Sequence, residues 1–322
     1  MGRIDSSRVA RVAGRVATDA RWRSFYLQRY CRSATLRGLV RRALARSRPP
    51  VLACADGPEA RRIAAEVDSL GISVLPGAIP TEAAARLREW LMARPCFIRD
   101  RPGSPGIYWP KNVPSYCVNA YYTSEDLIEA PGFLELCNDP RVLGAVSRLF
   151  SCAPTIAQID CWWLNHAYDL SSARVAHEYF LGRPKEYHRD IEDWGMLRYF
   201  VYLTDVDEGG APHTFIPGTH NEYLGHKRGI DLAVEHGELY DRRLDTVGPA
   251  GTGILIDPYG LHRASVPRSA DRLMLAVTYT LASSPVFAPG RPLTTARGRD
   301  IDPWVNRFFV APESSGALSR PG

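Results

Sequence analysis

The chain has 322 residues, enough for one large domain with extensions or for two modest ones, and its 45 % hydrophobic and 23 % charged residues are ordinary for a globular protein with a sizeable core. No run of roughly eighteen or more apolar residues occurs, which argues against a membrane-spanning helix. The net charge of +5 is unevenly spread: residues 1–50 hold thirteen arginines against Asp5 and Asp19, so this arm is basic and the remaining body mildly acidic.

Within the arm, Val9, Val12 and Val16, then Trp22, Phe25, Tyr26 and Tyr30, recur at three- and four-residue steps that suit short amphipathic helices. Residues 1–50 therefore read as a basic helical N-terminal arm packed on its own domain with arginines toward water. The alternative is contact with an anionic membrane surface or an acidic partner; no nucleic-acid partner is expected. Ser47-Arg48-Pro49-Pro50 reads as the linker that ends the arm. The seven cysteines (Cys31, Cys54, Cys96, Cys117, Cys137, Cys152 and Cys161) are scattered singly, with no C-x-x-C pair. They read as free thiols of a cytoplasmic protein, most of them small core residues.

The body opens with an apolar strand over residues 71–75, followed by a helix from Thr81 to Ala93 in which Leu87, Trp90 and Leu91 form one stripe behind Thr81 as N-cap. A second packing helix is expected over Arg141–Phe150. From about residue 155 short β-rich segments follow, at Thr155–Leu164, Leu197–Thr204, His213–Ile216, Thr252–Ile256 and Leu273–Leu281, punctuated by glycine and proline. Such a series, with few helices between strands, predicts a mainly β body with packing helices, a sandwich or jelly roll. The end of the chain, residues 283–322, is a Pro- and Gly-rich tail whose final stretch from Glu313 is expected to be disordered.

In the run Glu186-Tyr187-His188-Arg189-Asp190, alternate residues of an extended segment point the same way, so His188 and Asp190 can reach one ion while Arg189 points elsewhere. With His262 they make the two-imidazole, one-carboxylate set that holds non-haem Fe(II) with coordination positions left open. If the chain turns near Pro267, His262 and Arg272 lie opposite each other in a hairpin, and a planar guanidinium beside the second imidazole could grip the far carboxylate of a dicarboxylic co-substrate. His213 and His220 compete as ligands but read as hydrogen-bonded structural histidines. His166, His177, His226 and His236 read as loop or surface residues, and Arg268, the rival anchor, falls in the expected turn.

The motifs His188-Arg189-Asp190, Tyr202 to Gly210, Ile216-Pro217-Gly218-Thr219-His220, Gly260-Leu261-His262 and Arg272 resemble the phytanoyl-CoA dioxygenase family of Fe(II)- and 2-oxoglutarate-dependent oxygenases. The resemblance spans about residues 65–282. It implies a double-stranded β-helix (cupin-like jelly roll) over residues 51–282, iron held by His188, Asp190 and His262, 2-oxoglutarate held by Arg272, and O2 as the second co-substrate. Halogenating relatives lack the acidic ligand, so Asp190 favours hydroxylation of an aliphatic C–H, or another two-electron oxidation, in a small-molecule or biosynthetic intermediate. Trp194 stands four residues after Asp190, as a tryptophan does in ectoine hydroxylases, and is a candidate at the cofactor site; Tyr187 and Tyr199 are candidates for the substrate pocket. Two other readings use the same residues: a zinc-dependent hydrolase, and a catalytically silent β-helix binding module.

Overall fold

The computed structural model describes residues 14–31, 33–99, 103–168, 186–222, 230–265, 267–281, 285–287, 293–295 and 301–312. Val9, Val12, His177, His226 and the tail from Glu313 lie outside them. In chain order the strands that build the body are β1 (Ile72–Leu75), β2 (Asn119–Tyr121), β3 (Thr155–Leu164), β4 (Glu186–Tyr187), β5 (Met196–Tyr202), β6 (His213–Phe215), β7 (Ile230–Asp231), β8 (Leu244–Thr246), β9 (Gly253–Ile256), β10 (His262–Ala264) and β11 (Arg272–Thr280). Six of them form an antiparallel major sheet in the order β1-β9-β5-β11-β3-β2. The minor sheet is β10-β6-β8, and an antiparallel bridge between His188 and His262 joins the β4-β7 pair to its β10 edge. The fold is a mainly β, cupin-like jelly roll with packing helices.

Period-two alternation assigns each strand's two faces. From β5 and β11, Leu197, Tyr199, Val201, Leu273, Leu275, Val277 and Tyr279 enter one core with the helices Pro58–Leu70, Thr81–Met92 and Pro140–Phe150. The intervening Phe200, Tyr202, Met274 and Ala276 pack with Ile254, Ile256 and, from the minor sheet, Phe215. Every residue of β11 is buried because its sheet is covered on both faces. Five of the seven cysteines are buried, and burial pushes the Cys96 thiol up to about 12, as inert core thiols require.

Two local expectations are corrected. Thr81 is the first residue of its helix rather than the cap: Pro80 occupies the cap position, and the Thr81 hydroxyl is 3.5 Å from the Ala250 carbonyl. Nor do His262 and Arg272 form a hairpin. β10 pairs with β6, whereas β11 pairs with β3 and β5, so the chain crosses from the minor to the major sheet around residues 265–271. The crossing is tied down by the amides of Arg268 and Ser269, which both donate to the Gly209 carbonyl.

The arm docks on the body. The helix Ala20–Tyr30 is capped by Asp19 and the helix Ala34–Ala45 by Ser33. Gln28 donates to the Ile191 carbonyl at 2.7 Å, Arg37 to the His220 carbonyl at 2.8 Å, and the Arg37 guanidinium lies over the Tyr259 ring.

Two glycine replacements test the packing with opposite signs. A Cβ on Gly144 would stand 2.5 Å from the Cys54 carbonyl oxygen and 2.8 Å from the Ala60 Cβ, so Gly144→Ala is expected to destabilise by about 1–3 kcal/mol through overpacking. Gly38 lies within the helix Ala34–Ala45 with open space at its Cβ, so Gly38→Ala is expected to stabilise by about 0.5–1 kcal/mol. Urea denaturation of both variants measures the pair; a neutral Gly144→Ala would refute the close approach.

Candidate metal centre

His188 and His262 exchange two backbone hydrogen bonds, His188 N–H to His262 O at 3.0 Å and His262 N–H to His188 O at 3.1 Å. This bridge sets the imidazoles side by side, ring centroids 4.4 Å apart. Two residues on, the Asp190 amide donates to the Pro258 carbonyl at 2.9 Å, which turns its carboxylate back toward both rings. His262 Nε2 lies 3.6 Å from Asp190 Oδ2 and His188 Nε2 lies 3.9 Å from Asp190 Oδ1. One donor atom from each of the three falls within 4.8 Å of the others. Arg189 points the other way, donating to the carbonyls of Thr219 and Glu222.

Each ligand is oriented by a neighbour. His262 Nδ1 is 2.9 Å from the Gly260 carbonyl; a carbonyl only accepts, so Nδ1 carries a proton and Nε2 is the atom turned toward Asp190. Arg198 Nη1 lies 2.8 Å from Asp190 Oδ2. Burial opposes ionisation of Asp190, but Arg198, His262 and His188 outweigh it and hold the carboxyl well below the usual range. Side-chain exposure is 4 % for His262 and 41 % for His188, so the cluster is sealed on one side and open on the other.

Arg272 is 1 % exposed. Its Nη1 donates to the Ala211 carbonyl, while Nε and Nη2 are buried with no partner among the described residues. Burial pushes its pKa below the usual guanidinium range. A buried charge with two idle donors costs several kcal/mol unless something pairs with it, and the shape of the donors suits a carboxylate. The donor sets therefore fit both groups: two imidazoles and a carboxylate for a divalent transition metal, and Arg272 for a carboxylate.

Other expected site residues lie elsewhere. Trp194 donates from Nε1 to the Ser24 hydroxyl at 2.8 Å, which ties it to the arm helix. Tyr187 precedes His188 and therefore occupies the opposite strand face, buried among Ile216, Leu232 and Leu261 with Arg263 over its ring. Tyr199 belongs to the helix-side core, not to a substrate pocket. His220 is structural, with Nε2 3.0 Å from the Asp68 carbonyl, and Arg268, His166 and His236 are exposed.

His213 departs from its expected structural role: it is 4 % exposed, its ring lies 5.6 Å from that of His262 and 4.8 Å from that of Phe200, and its Nε2 has no partner among the described residues. Arg198 is the second residue that sequence reasoning misses. Its signal was a single charge in the otherwise apolar stretch Met196–Tyr202. Across the major sheet Arg198 pairs with Thr278, which pairs with Gln158, and the next row is Phe200, Ala276 and Asp160. Gln158, Asp160 and Trp162 are each partly exposed, whereas the alternate Ile159, Cys161 and Trp163 are sealed among the helices. The inner face is thus apolar along β9 and β5 and partly exposed along β3. Tyr121 stacks on Trp162 beside β3, with Arg99 over the Tyr121 ring.

No family model matches the chain, and no curated protein matches its sequence. Among solved structures it is similar to the α-ketoglutarate-dependent epimerase SnoN of nogalamycin biosynthesis, at 17 % identity over 70 % of this chain and 84 % of that one, TM-score 0.46. HygX from Streptomyces hygroscopicus, solved with nickel, 2-oxoglutarate and hygromycin B, shares 15 % identity over 73 % of this chain and 91 % of its own, TM-score 0.47. EctD from S. alaskensis, solved with 2-oxoglutarate and 5-hydroxyectoine, shares 18 % over 74 % and 83 %, TM-score 0.47. Likeness at this level leaves the function of this chain to its own residues.

His188→Ala and Asp190→Ala are each expected to weaken Co(II) binding by more than the roughly 10- to 100-fold that follows loss of a supporting group outside a ligand set. Anaerobic calorimetric titration reads this directly, and undiminished affinity in Asp190→Ala would show that these side chains do not share a metal.

Proposed function

We propose that this chain is an Fe(II)- and 2-oxoglutarate-dependent oxygenase of the phytanoyl-CoA dioxygenase type, hydroxylating an aliphatic C–H of a small molecule in the cytoplasm. The observation that carries the reading is a His-Asp-His cluster in the same sandwich as a buried guanidinium with two idle donors. Metal-ligating side chains alone would suit many chemistries; the guanidinium adds a demand for a carboxylate that a zinc hydrolase gives no reason to expect.

In this reading His188, Asp190 and His262 hold iron, and Arg272 pairs with the distal carboxylate of 2-oxoglutarate. Iron, 2-oxoglutarate and O2 together supply the oxidising power for C–H hydroxylation, with succinate and CO2 as co-products. The chain supplies position and dryness. Arg198 steadies one oxygen of Asp190 and the Gly260 carbonyl fixes the His262 tautomer. The apolar cluster of Phe200, Tyr202, Phe215, Ile254, Ile256 and Met274 keeps water from its side of the sandwich. Substrate approaches from the open side marked by His188, where the adjoining wall of Gln158, Asp160, Trp162 and Tyr121 favours a small molecule with polar groups over a plain hydrocarbon.

Anaerobic titration with Fe(II), with and without 2-oxoglutarate, is the direct test: a change in the metal's absorption that requires 2-oxoglutarate is expected, and its absence rejects the reading. His188→Ala is expected to abolish succinate formation. Arg272→Leu is expected to raise the 2-oxoglutarate requirement by about 10- to 100-fold, the value of a charge-assisted contact, while the iron requirement moves little. Equal effects on both would count against Arg272 as the carboxylate partner.

A further inference from the structure

His213 has no part in the reading above, and its surroundings give it one. It projects from β6 into the sandwich, on the same inner face as His262 of the neighbouring strand β10, where Ala264 pairs with His213 and His262 with Phe215. Its backbone is locked: the His213 amide donates to the Tyr202 hydroxyl at 2.9 Å, that hydroxyl lies 2.8 Å from the Thr246 carbonyl, and the Thr246 hydroxyl donates to the His213 carbonyl at 2.8 Å. The ring is held between Phe200 on the facing sheet and His262 beside it. Two residues earlier in the chain, the Ala211 carbonyl takes one donor of Arg272. His213 is thus a rigid neighbour of both the triad and the guanidinium.

Three polar atoms in this nest, Arg272 Nε, Arg272 Nη2 and His213 Nε2, are buried without partners among the described residues. Orphaned buried donors and acceptors are uncommon in folded proteins, and three in one neighbourhood point to a single missing partner with several acceptor sites. A carboxylate has two oxygens and about four acceptor directions, enough to satisfy a guanidinium edge and one imidazole N–H together. His213 thus stands beside both places at which a keto diacid would be held, its ring 5.6 Å from that of His262 and its segment bonded to Arg272 through the Ala211 carbonyl.

We infer that His213 is a co-substrate-binding residue: its Nε2–H donates to the distal carboxylate of 2-oxoglutarate alongside Arg272, so that this chain reads the acid with an imidazole as well as a guanidinium. The inference rests on the assignment of 2-oxoglutarate above. It also gives His213 a role distinct from a fourth metal ligand, since the ligand cluster closes within 4.8 Å on His188, Asp190 and His262 without it.

The test compares two keto acids on the anaerobic Fe(II) enzyme by titration of the metal's absorption: 2-oxoglutarate, and 2-oxopentanoate, which has the same five carbons and keto acid end but no distal carboxylate. His213→Phe keeps a ring and removes both nitrogens; it is expected to weaken 2-oxoglutarate binding about 10- to 100-fold while leaving 2-oxopentanoate within about threefold. His213→Gln, which retains an N–H donor, is expected to restore most of the difference. Should the phenylalanine variant not accumulate, His213→Leu carries the same comparison. Unchanged 2-oxoglutarate affinity, or equal loss for both acids, overturns the inference while leaving the oxygenase reading intact. A native protein that responds to neither acid rejects that reading instead, and the inference with it.

Discussion

The site depends on one backbone contact, the pair of hydrogen bonds between His188 and His262. β4 is only two residues long, so little but this bridge joins it to the β10 edge of the minor sheet. Because side chains alternate with a period of two, a slip of one residue would send His188 to the outer face and carry Asp190 with it. The Pro258 carbonyl, which holds the Asp190 amide, guards against that slip from a second direction. The arm adds a third restraint: Gln28 and Ser24 bind Ile191 and Trp194 just beyond the acidic ligand. A basic extension that looks dispensable in sequence is thereby tied to the segment that carries two of the three ligands.

Charge explains why these groups can be held close in a dry interior. Asp190 alone would be neutralised by burial, yet Arg198 and the two imidazoles keep it ionised. Arg198 is itself retained in its charged form, against the pull of burial, chiefly by Asp190. Arg272 is different, because its positive charge faces two tyrosines and, among the described residues, no carboxylate. The protein carries that cost in its folded state, which is reasonable only if something else supplies the negative charge when the site is working.

Much of this was legible in the sequence, for physical reasons that differ from element to element. The long strands β3, β5, β9 and β11 show themselves because a two-faced sheet forces apolar runs and alternation. The ligand trio is legible from H-x-D alternation and a histidine after a strand. Arg272 is picked out by hairpin arithmetic that the structure contradicts: β11 pairs with β3 and β5, and the arginine reaches the β6 side of the site across the sandwich. Tyr187 fails by the same alternation that admits His188, and Tyr199 fails because nothing in a strand buried on both sides says which face is the sandwich. His213 and Arg198 stay hidden because their importance comes from sheet pairing between segments distant in sequence.

That the anchor and the ligands come from opposite sheets has a consequence for the whole body. The metal ligands belong to the minor sheet and its β4 extension, Arg272 begins the central strand of the major sheet, and the apolar cluster between the sheets runs along β1, β9 and β5, from Ile72 and Ile256 in the row of Arg198 to Tyr202 and Met274. Along β3 the residues in register with Arg198 and Phe200 are Gln158 and Asp160, which cannot glue two sheets together by hydrophobic burial. A dicarboxylic acid that chelates a metal on one sheet and pairs with Arg272 on the other would link the two sheets. Binding of such an acid would then stabilise the sandwich through the same contacts that hold the ligand.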